Sequence, residues 1–106
     1  MTVLSYTAVT QSGRTFEIEF PLHPLTRSSD SVGEVVTALL GALSRETRAG
    51  KDLSDGDLLQ ALAMTLALRA HMTEAQPDHM HTLVRELYDT AHQAVQAATG
   101  MPSGHA

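Results

Sequence analysis

The sequence predicts an α+β fold, in which an N-terminal antiparallel β-hairpin is followed by three α-helices and packs on them. Residues 15–20 alternate between polar and apolar side chains, which is the period of a strand with one buried face. From residue 31 onward, apolar residues recur instead at helical spacing, in three segments separated by glycine or proline. Because the strands precede the helices and do not alternate with them, a βαβ arrangement is excluded.

The hairpin is predicted over residues 3–20, and its register depends on the turn. A three-residue loop ending in a left-handed Gly13 places the large apolar side chains of both strands on one face. A two-residue turn at Ser12 and Gly13 would set apolar residues opposite Glu17 and Glu19 instead. Because a slip of one residue moves every side chain to the other face, we expect the three-residue loop. The expected pairs are Ala8 with Phe16, Tyr6 with Ile18 and Leu4 with Phe20.

The first helix is predicted over about residues 31–48. Ser31 and Glu34 have the spacing of a capping box, in which each side chain binds a free backbone amide at the start of the helix. Gly50 follows the helix at the position where a left-handed residue is common. One stripe of this helix is apolar and consists of Val32, Val36, Leu39, Leu40 and Leu43.

A second stripe of the same helix carries small residues, namely Ala38, Gly41 and Ala42, followed by Arg45. A glycine in the interior of a helix costs about 1 kcal/mol relative to alanine. Two explanations fit Gly41 equally well. Either another backbone passes close to it, from this chain or from a partner, or the glycine is merely tolerated.

The second helix is predicted over about residues 54–72. Ser54 and Asp57 are expected to cap its start in the same manner, and the acidic residues of its first turn complement the helix dipole. Between residues 58 and 72 its only polar residues are Gln60, Thr65, Arg69 and His71. A helix without a broad solvated face must be covered on most of its sides. We therefore expect this helix to be the central one, with part of its cover supplied by a second copy or by another protein.

The third helix is predicted over about residues 77–99, with Pro77 at its first position and Gly100 after its end. Residues 1–99 are expected to form a single domain, because a chain of this length matches the usual domain size. Residues 100–106 are expected to be a flexible tail. The core stripe of this helix is Met80, Leu83, Val84, Leu87, Ala91, Ala94, Val95 and Ala98.

Composition excludes several classes of protein. The chain of 106 residues has a net charge of −5, and its one lysine and six arginines are scattered, so we expect no nucleic-acid partner. It has no cysteine, which excludes disulfides, thiolate metal sites and cysteine nucleophiles. No apolar stretch reaches the ~20 residues of a membrane helix, and the N-terminus lacks the pattern of a signal peptide. We therefore expect a cytoplasmic bacterial protein without a membrane partner.

Six histidines raise the question of a metal site, and the candidate ligands are His71, His79 and His81. A soft site of histidine and methionine side chains would suit copper or nickel. On a helix, however, His79 and His81 point about 200° apart, so they share an ion only if residues 77–81 are extended. The other interpretation is that these histidines lie on a solvated face, and we expect no cofactor.

The sequence contains no motif for nucleophilic catalysis or for phosphate binding. Its serines cluster at predicted caps and turns, where local hydrogen bonds explain them. We expect Glu17 and Glu19 on the solvent face of the hairpin, where they increase solubility or protect its edge rather than act as an acid–base pair. His23 lies in a stiff loop between two prolines. It is either a residue of a functional site or an ordinary loop residue, in a loop whose Leu22 and Leu25 pack on the helices.

Three functions are consistent with these observations. The first is a small non-enzymatic interaction or regulatory protein, acting as a homodimer or as an accessory subunit of a protein partner. In the homodimer, either two hairpins join through their open edges or two helical layers pack face to face. The second is a ligand- or metal-binding module that uses His71, His79 and His81 near one end of the helical layer. The third is a small enzyme without a recognisable motif, with a pocket lined by His23 or His71.

Overall fold

A computed structural model describes residues 2–10 and 12–99 and shows the predicted order of two strands followed by three helices. The α+β class is confirmed. Gln11 in the hairpin loop and the predicted tail at residues 100–106 lie outside the described residues. The elements are β1 (Val3–Val9), β2 (Thr15–Pro21), α1 (Ser29–Arg48), α2 (Asp55–His71) and α3 (Pro77–Thr99).

The predicted register of the hairpin is confirmed. Strands β1 and β2 pair antiparallel, with Ala8 opposite Phe16, Tyr6 opposite Ile18 and Leu4 opposite Phe20. At the turn, the Gly13 amide donates to the Thr10 carbonyl at 2.9 Å, and Gly13 is left-handed with φ 84°. A left-handed glycine at this position closes a three-residue loop without the steric cost that a Cβ would bring.

The two faces of the hairpin differ in exposure as the alternation predicts. Ile18 is only 5% exposed and is the most buried side chain in the described part of the chain. The five other residues of the three apolar pairs are half-buried. On the opposite face, the Ser5 hydroxyl donates to the Glu19 carboxylate at 2.8 Å, and both residues are exposed. The hairpin therefore carries the small core that this chain buries by itself.

Residue contacts divide the chain into two compact units. One unit contains the hairpin, the start of α1 as far as Gly33, and α3 from Arg85 onward. Within it, a Cβ on Gly33 would lie 3.4 Å from Cδ1 of Leu4, so the first turn of α1 packs closely on the apolar face of the hairpin. The other unit contains the rest of α1, all of α2, and α3 as far as Val84. The expectation of a single domain over residues 1–99 stays a prediction.

Helix α1 begins two residues earlier than predicted, and the capping box expected at Ser31 and Glu34 is wrong. The cap is Ser28, whose hydroxyl oxygen accepts the Ser31 amide at 3.1 Å while its carbonyl accepts the Val32 amide. Several serines in a row can each cap a helix, and the one whose carbonyl accepts the first helical bond determines where the helix starts.

Helix α2 has the capped start that its sequence predicts. The Asp57 amide donates to Ser54 Oγ at 3.1 Å, and the Ser54 amide donates to Asp57 Oδ2 at 3.0 Å. The expectation that α2 would be the central, covered helix is wrong for the single chain. Every residue of α2 is described, and none of them is buried. The apolar pattern predicts a helix that requires cover, but it does not say that this chain provides it.

Candidate functional site

The most unusual surface of the molecule is the exposed apolar side of α2. Met64 is 60% exposed, Leu68 65% and Met72 69%. The half-buried residues of the helix are Leu58, Leu62 and Ala70, and on that same side Leu59 and Leu66 are 66% and 48% exposed. Isolated exposed apolar residues are ordinary, whereas a contiguous apolar patch marks an interaction surface.

The exposed side of α2 has the spacing of a coiled-coil seam. Five exposed residues on this side are spaced by four, three, four and three positions. Their mean spacing is 3.5 residues, the heptad period at which a stripe of side chains keeps facing a second helix. We call this surface the α2 seam. Its members are Asp57, Ala61, Met64, Leu68 and His71.

Charge on α2 is confined to its two ends. The first turn carries Asp55 and Asp57, and the last turn carries Arg69 and His71. The eleven residues at 58–68 are uncharged. The polar residue in this stretch that lies mid-helix, Thr65, donates its hydroxyl to the Ala61 carbonyl at 2.8 Å and is satisfied within the helix. The centre of the seam is therefore apolar, with a carboxylate at one end and an imidazole at the other.

A groove of ≈ 540 Å³ lies between the C-terminal half of α2 and the first two turns of α3. All of its lining belongs to the unit formed by residues 34–84. The α2 wall consists of small and aliphatic side chains, and Met80 and Val84 line it from α3. Three polar residues also line the groove, and they are His71, Glu74 and His81.

The connection between α2 and α3 contains one residue in a strained backbone conformation. Glu74 has φ 63°, a left-handed conformation that is unfavourable for a residue with a Cβ. Local hydrogen bonds fix this turn, since the Thr73 hydroxyl donates to the Ala70 carbonyl at 2.8 Å and the Ala75 amide donates back to that hydroxyl at 3.4 Å. Glu74 also lines the groove.

The structure brings together two of the three histidines proposed as metal ligands. His71 and His81 both line the groove, whereas His79 does not. Helix α3 already begins at Pro77, so residues 77–81 are not extended, and the condition under which His79 and His81 would share an ion is not met. Within residues 2–10 and 12–99, no group of three histidine, aspartate or glutamate side chains could hold a metal ion.

Of the residues considered for catalysis, His71 lines the groove, whereas Glu17, Glu19 and His23 do not. Glu17 and Glu19 are exposed on the hairpin, as predicted. His23 Nδ1 accepts the Leu25 amide at 3.1 Å, which explains this histidine by the geometry of its own loop. Leu25 is exposed, so the expectation that it packs on the helices is wrong.

Sequence reasoning identified the apolar character of α2 but missed the seam as a defined surface. The heptad spacing from Asp57 to His71 and the absence of charge between them are both legible in the sequence, and together they would have indicated it. The left-handed conformation of Glu74 could not be predicted from the sequence, because glutamate has no preference for that conformation.

Comparison of the chain with protein-family models, curated proteins and solved structures finds no match. In the described part of the chain, no helix combines the length and the apolarity needed to cross a membrane.

Proposed function

We propose that this chain is a small, non-enzymatic interaction protein that associates with a second copy of itself through α2. The observation that supports the proposal is the exposure of Met64, Leu68 and the C-cap residue Met72 on a helix whose residues 58–68 carry no charge. A homodimer with a two-fold interface is the commonest way in which proteins cover such a surface. A regulatory or accessory role in a bacterial cytoplasm completes the proposal.

The energetics of self-association favour a moderate rather than an extreme affinity. Full burial of one such side chain gains about 1.5–3 kcal/mol. Because Met64, Leu68 and Met72 are about two thirds exposed, each can gain about two thirds of that free energy when it is buried. Over these three side chains on each of two copies, the total gain is about 6–12 kcal/mol. Association costs about 4–15 kcal/mol in lost freedom of motion. Because the two quantities are similar, polar complementarity around the apolar centre decides the affinity.

Light scattering over a dilution series tests the proposal. We expect the mass to approach twice 11.4 kDa at high concentration and to fall toward 11.4 kDa on dilution. Replacing Leu68 with lysine should shift this transition to higher concentration, because it places a charge at the centre of the apolar surface. A mass that stays at 11.4 kDa at every concentration would contradict the proposal.

A second candidate function is the binding of a small apolar ligand in the groove between α2 and α3. Its volume of ≈ 540 Å³ lies within the usual range of ligand sites, and a mainly apolar lining with a few polar groups is typical of them. The fluorescent probe anilinonaphthalene sulfonate tests this function. Ala70→Phe, which fills the groove, should abolish the enhanced fluorescence, whereas Leu68→Lys on the seam should leave it intact. The opposite pattern would assign the probe to the seam.

A further inference from the structure

We infer that two copies pair through the α2 seam as antiparallel helices related by a two-fold axis at Met64. This inference rests on the self-association proposed above and specifies its geometry. It follows from the charge pattern of α2, from the spacing of the seam and from the exposure of its apolar centre.

The charge pattern of α2 indicates which helix packs on the α2 seam and in which direction that helix runs. The helix is acidic in its first turn, uncharged through residues 58–68 and basic in its last turn. Its complement is a helix with the same uncharged centre and the reverse order of charges, which is α2 itself running antiparallel. A parallel pair would place acid beside acid and base beside base, and it would also align the two helix dipoles.

The spacing of the seam sets the register. Asp57 and His71 each lie seven residues from Met64, so all three occupy one line along the helix. When two antiparallel copies cross at Met64, Asp57 of one copy therefore lies opposite His71 of the other. This contact occurs twice, once at each end of the pair. Met64 suits the centre because its flexible thioether fills irregular gaps, and the nearby Ala61 allows close approach.

Single-cysteine variants of the full chain test this geometry directly, because the chain contains no cysteine. A disulfide requires Cα atoms about 4.4–6.8 Å apart, a separation that two residues facing each other across the axis can reach. Met64→Cys should therefore form disulfide-linked dimers under mild oxidation. In Leu68→Cys the two cysteines would be offset by about 12 Å along the helices, so it should not form them. The matched control is Leu59→Cys, which is equally exposed but lies roughly 140° around the helix.

Each outcome of the crosslinking experiment has a defined meaning. Efficient crosslinking of Met64→Cys alone supports the antiparallel pair. Crosslinking of Leu68→Cys together with Met64→Cys indicates a parallel pair and overturns the inference. Crosslinking of Leu59→Cys alone, or of none of the three in a chain that light scattering shows to be dimeric, also overturns it but leaves self-association standing. A monomeric chain contradicts both.

A charge exchange provides an independent test. Asp57→Lys should weaken self-association about tenfold, because it sets a like charge beside the basic end of the second copy. Adding His71→Asp to the same chain should restore the affinity to within about threefold, since the two ends attract again. Asp57→Lys also removes the carboxylate that accepts the Ser54 amide, and both changes oppose the helix dipole, so a purely structural effect would make the double variant worse than the single one. A double variant weaker than Asp57→Lys would overturn the inferred register.

Discussion

Glu74 is the only non-glycine residue of the described chain in the left-handed region, with φ 63°. It lies three residues after the last residue of α2, in the turn that leads to α3, and one residue beyond the position at which helices commonly place a left-handed glycine. Nothing in the local sequence requires a glutamate there for folding. The strained residue also lines the groove, and backbone strain of this kind is often retained at positions that bind or recognise something.

Replacing Glu74 with glycine should stabilise the chain. Glycine adopts positive φ without a Cβ clash, and this gain exceeds the extra freedom it has in the unfolded state, so we expect the free energy of unfolding to rise by about 0.5–1 kcal/mol. Urea unfolding measures this change. The neighbouring Ala75 has ordinary backbone geometry, so Ala75→Gly is the matched control and should destabilise the chain. A loss of stability in both variants would show that the left-handed conformation costs nothing.

The Glu46 carboxylate accepts a hydrogen bond from Lys51, and this bond, together with the lysine charge, lowers the pKa of Glu46. Lys51→Met should raise the pKa of Glu46 toward its ordinary value, whereas Lys51→Arg should keep it low. Because the folded pKa lies below the unfolded one, the pair stabilises the fold above the unfolded pKa and stops doing so as the pH falls through the folded pKa. An NMR titration of the Glu46 side chain measures both variants, and an unchanged pKa in Lys51→Met would refute this assignment.

Among the secondary-structure elements, the sequence predicts the features that are set by neighbouring residues. The hairpin register follows from Gly13 and the apolar alternation, and the start of α2 follows from Ser54 and Asp57. The start of α1 could not be predicted, because neighbouring serines compete to cap it. The exposure of α2 could not be predicted either. An apolar pattern indicates that a helix is covered by other protein atoms, but it does not indicate whether they belong to the same chain.

The two glycines within α1 should respond differently to alanine. A Cβ on Gly41 would meet only the end of the Arg45 side chain at 3.6 Å, so no described backbone of this chain requires the glycine. Gly41→Ala should therefore stabilise the helix by up to about 1 kcal/mol. A Cβ on Gly33 would lie 3.4 Å from Cδ1 of Leu4, the near limit of van der Waals contact, so Gly33→Ala should gain less, because it restricts the Leu4 side chain. Thermal unfolding of both variants at low concentration checks the order, and an equal gain would show that Leu4 yields freely.

At the scale of the whole molecule, stability and self-association should be linked. In the proposed dimer a second copy covers the exposed apolar side of α2, and whatever binds the folded state alone raises the melting temperature by mass action. The chain should therefore melt at higher temperature as its concentration rises. This dependence distinguishes a helix that is covered by a second copy from one that remains in water.

A matched pair of variants assigns this dependence to the seam. Met64 and Leu59 are 60% and 66% exposed, so a glutamate at either position alters a similarly solvated site of the folded monomer. At position 64 the new carboxylates of two copies would face each other across the axis, whereas at position 59 they would point elsewhere. Met64→Glu should therefore melt at one temperature from micromolar to millimolar concentration, whereas Leu59→Glu should retain the rise of the unmodified chain. If Leu59→Glu lost the rise and Met64→Glu kept it, the surface that joins the copies would be the opposite side of α2.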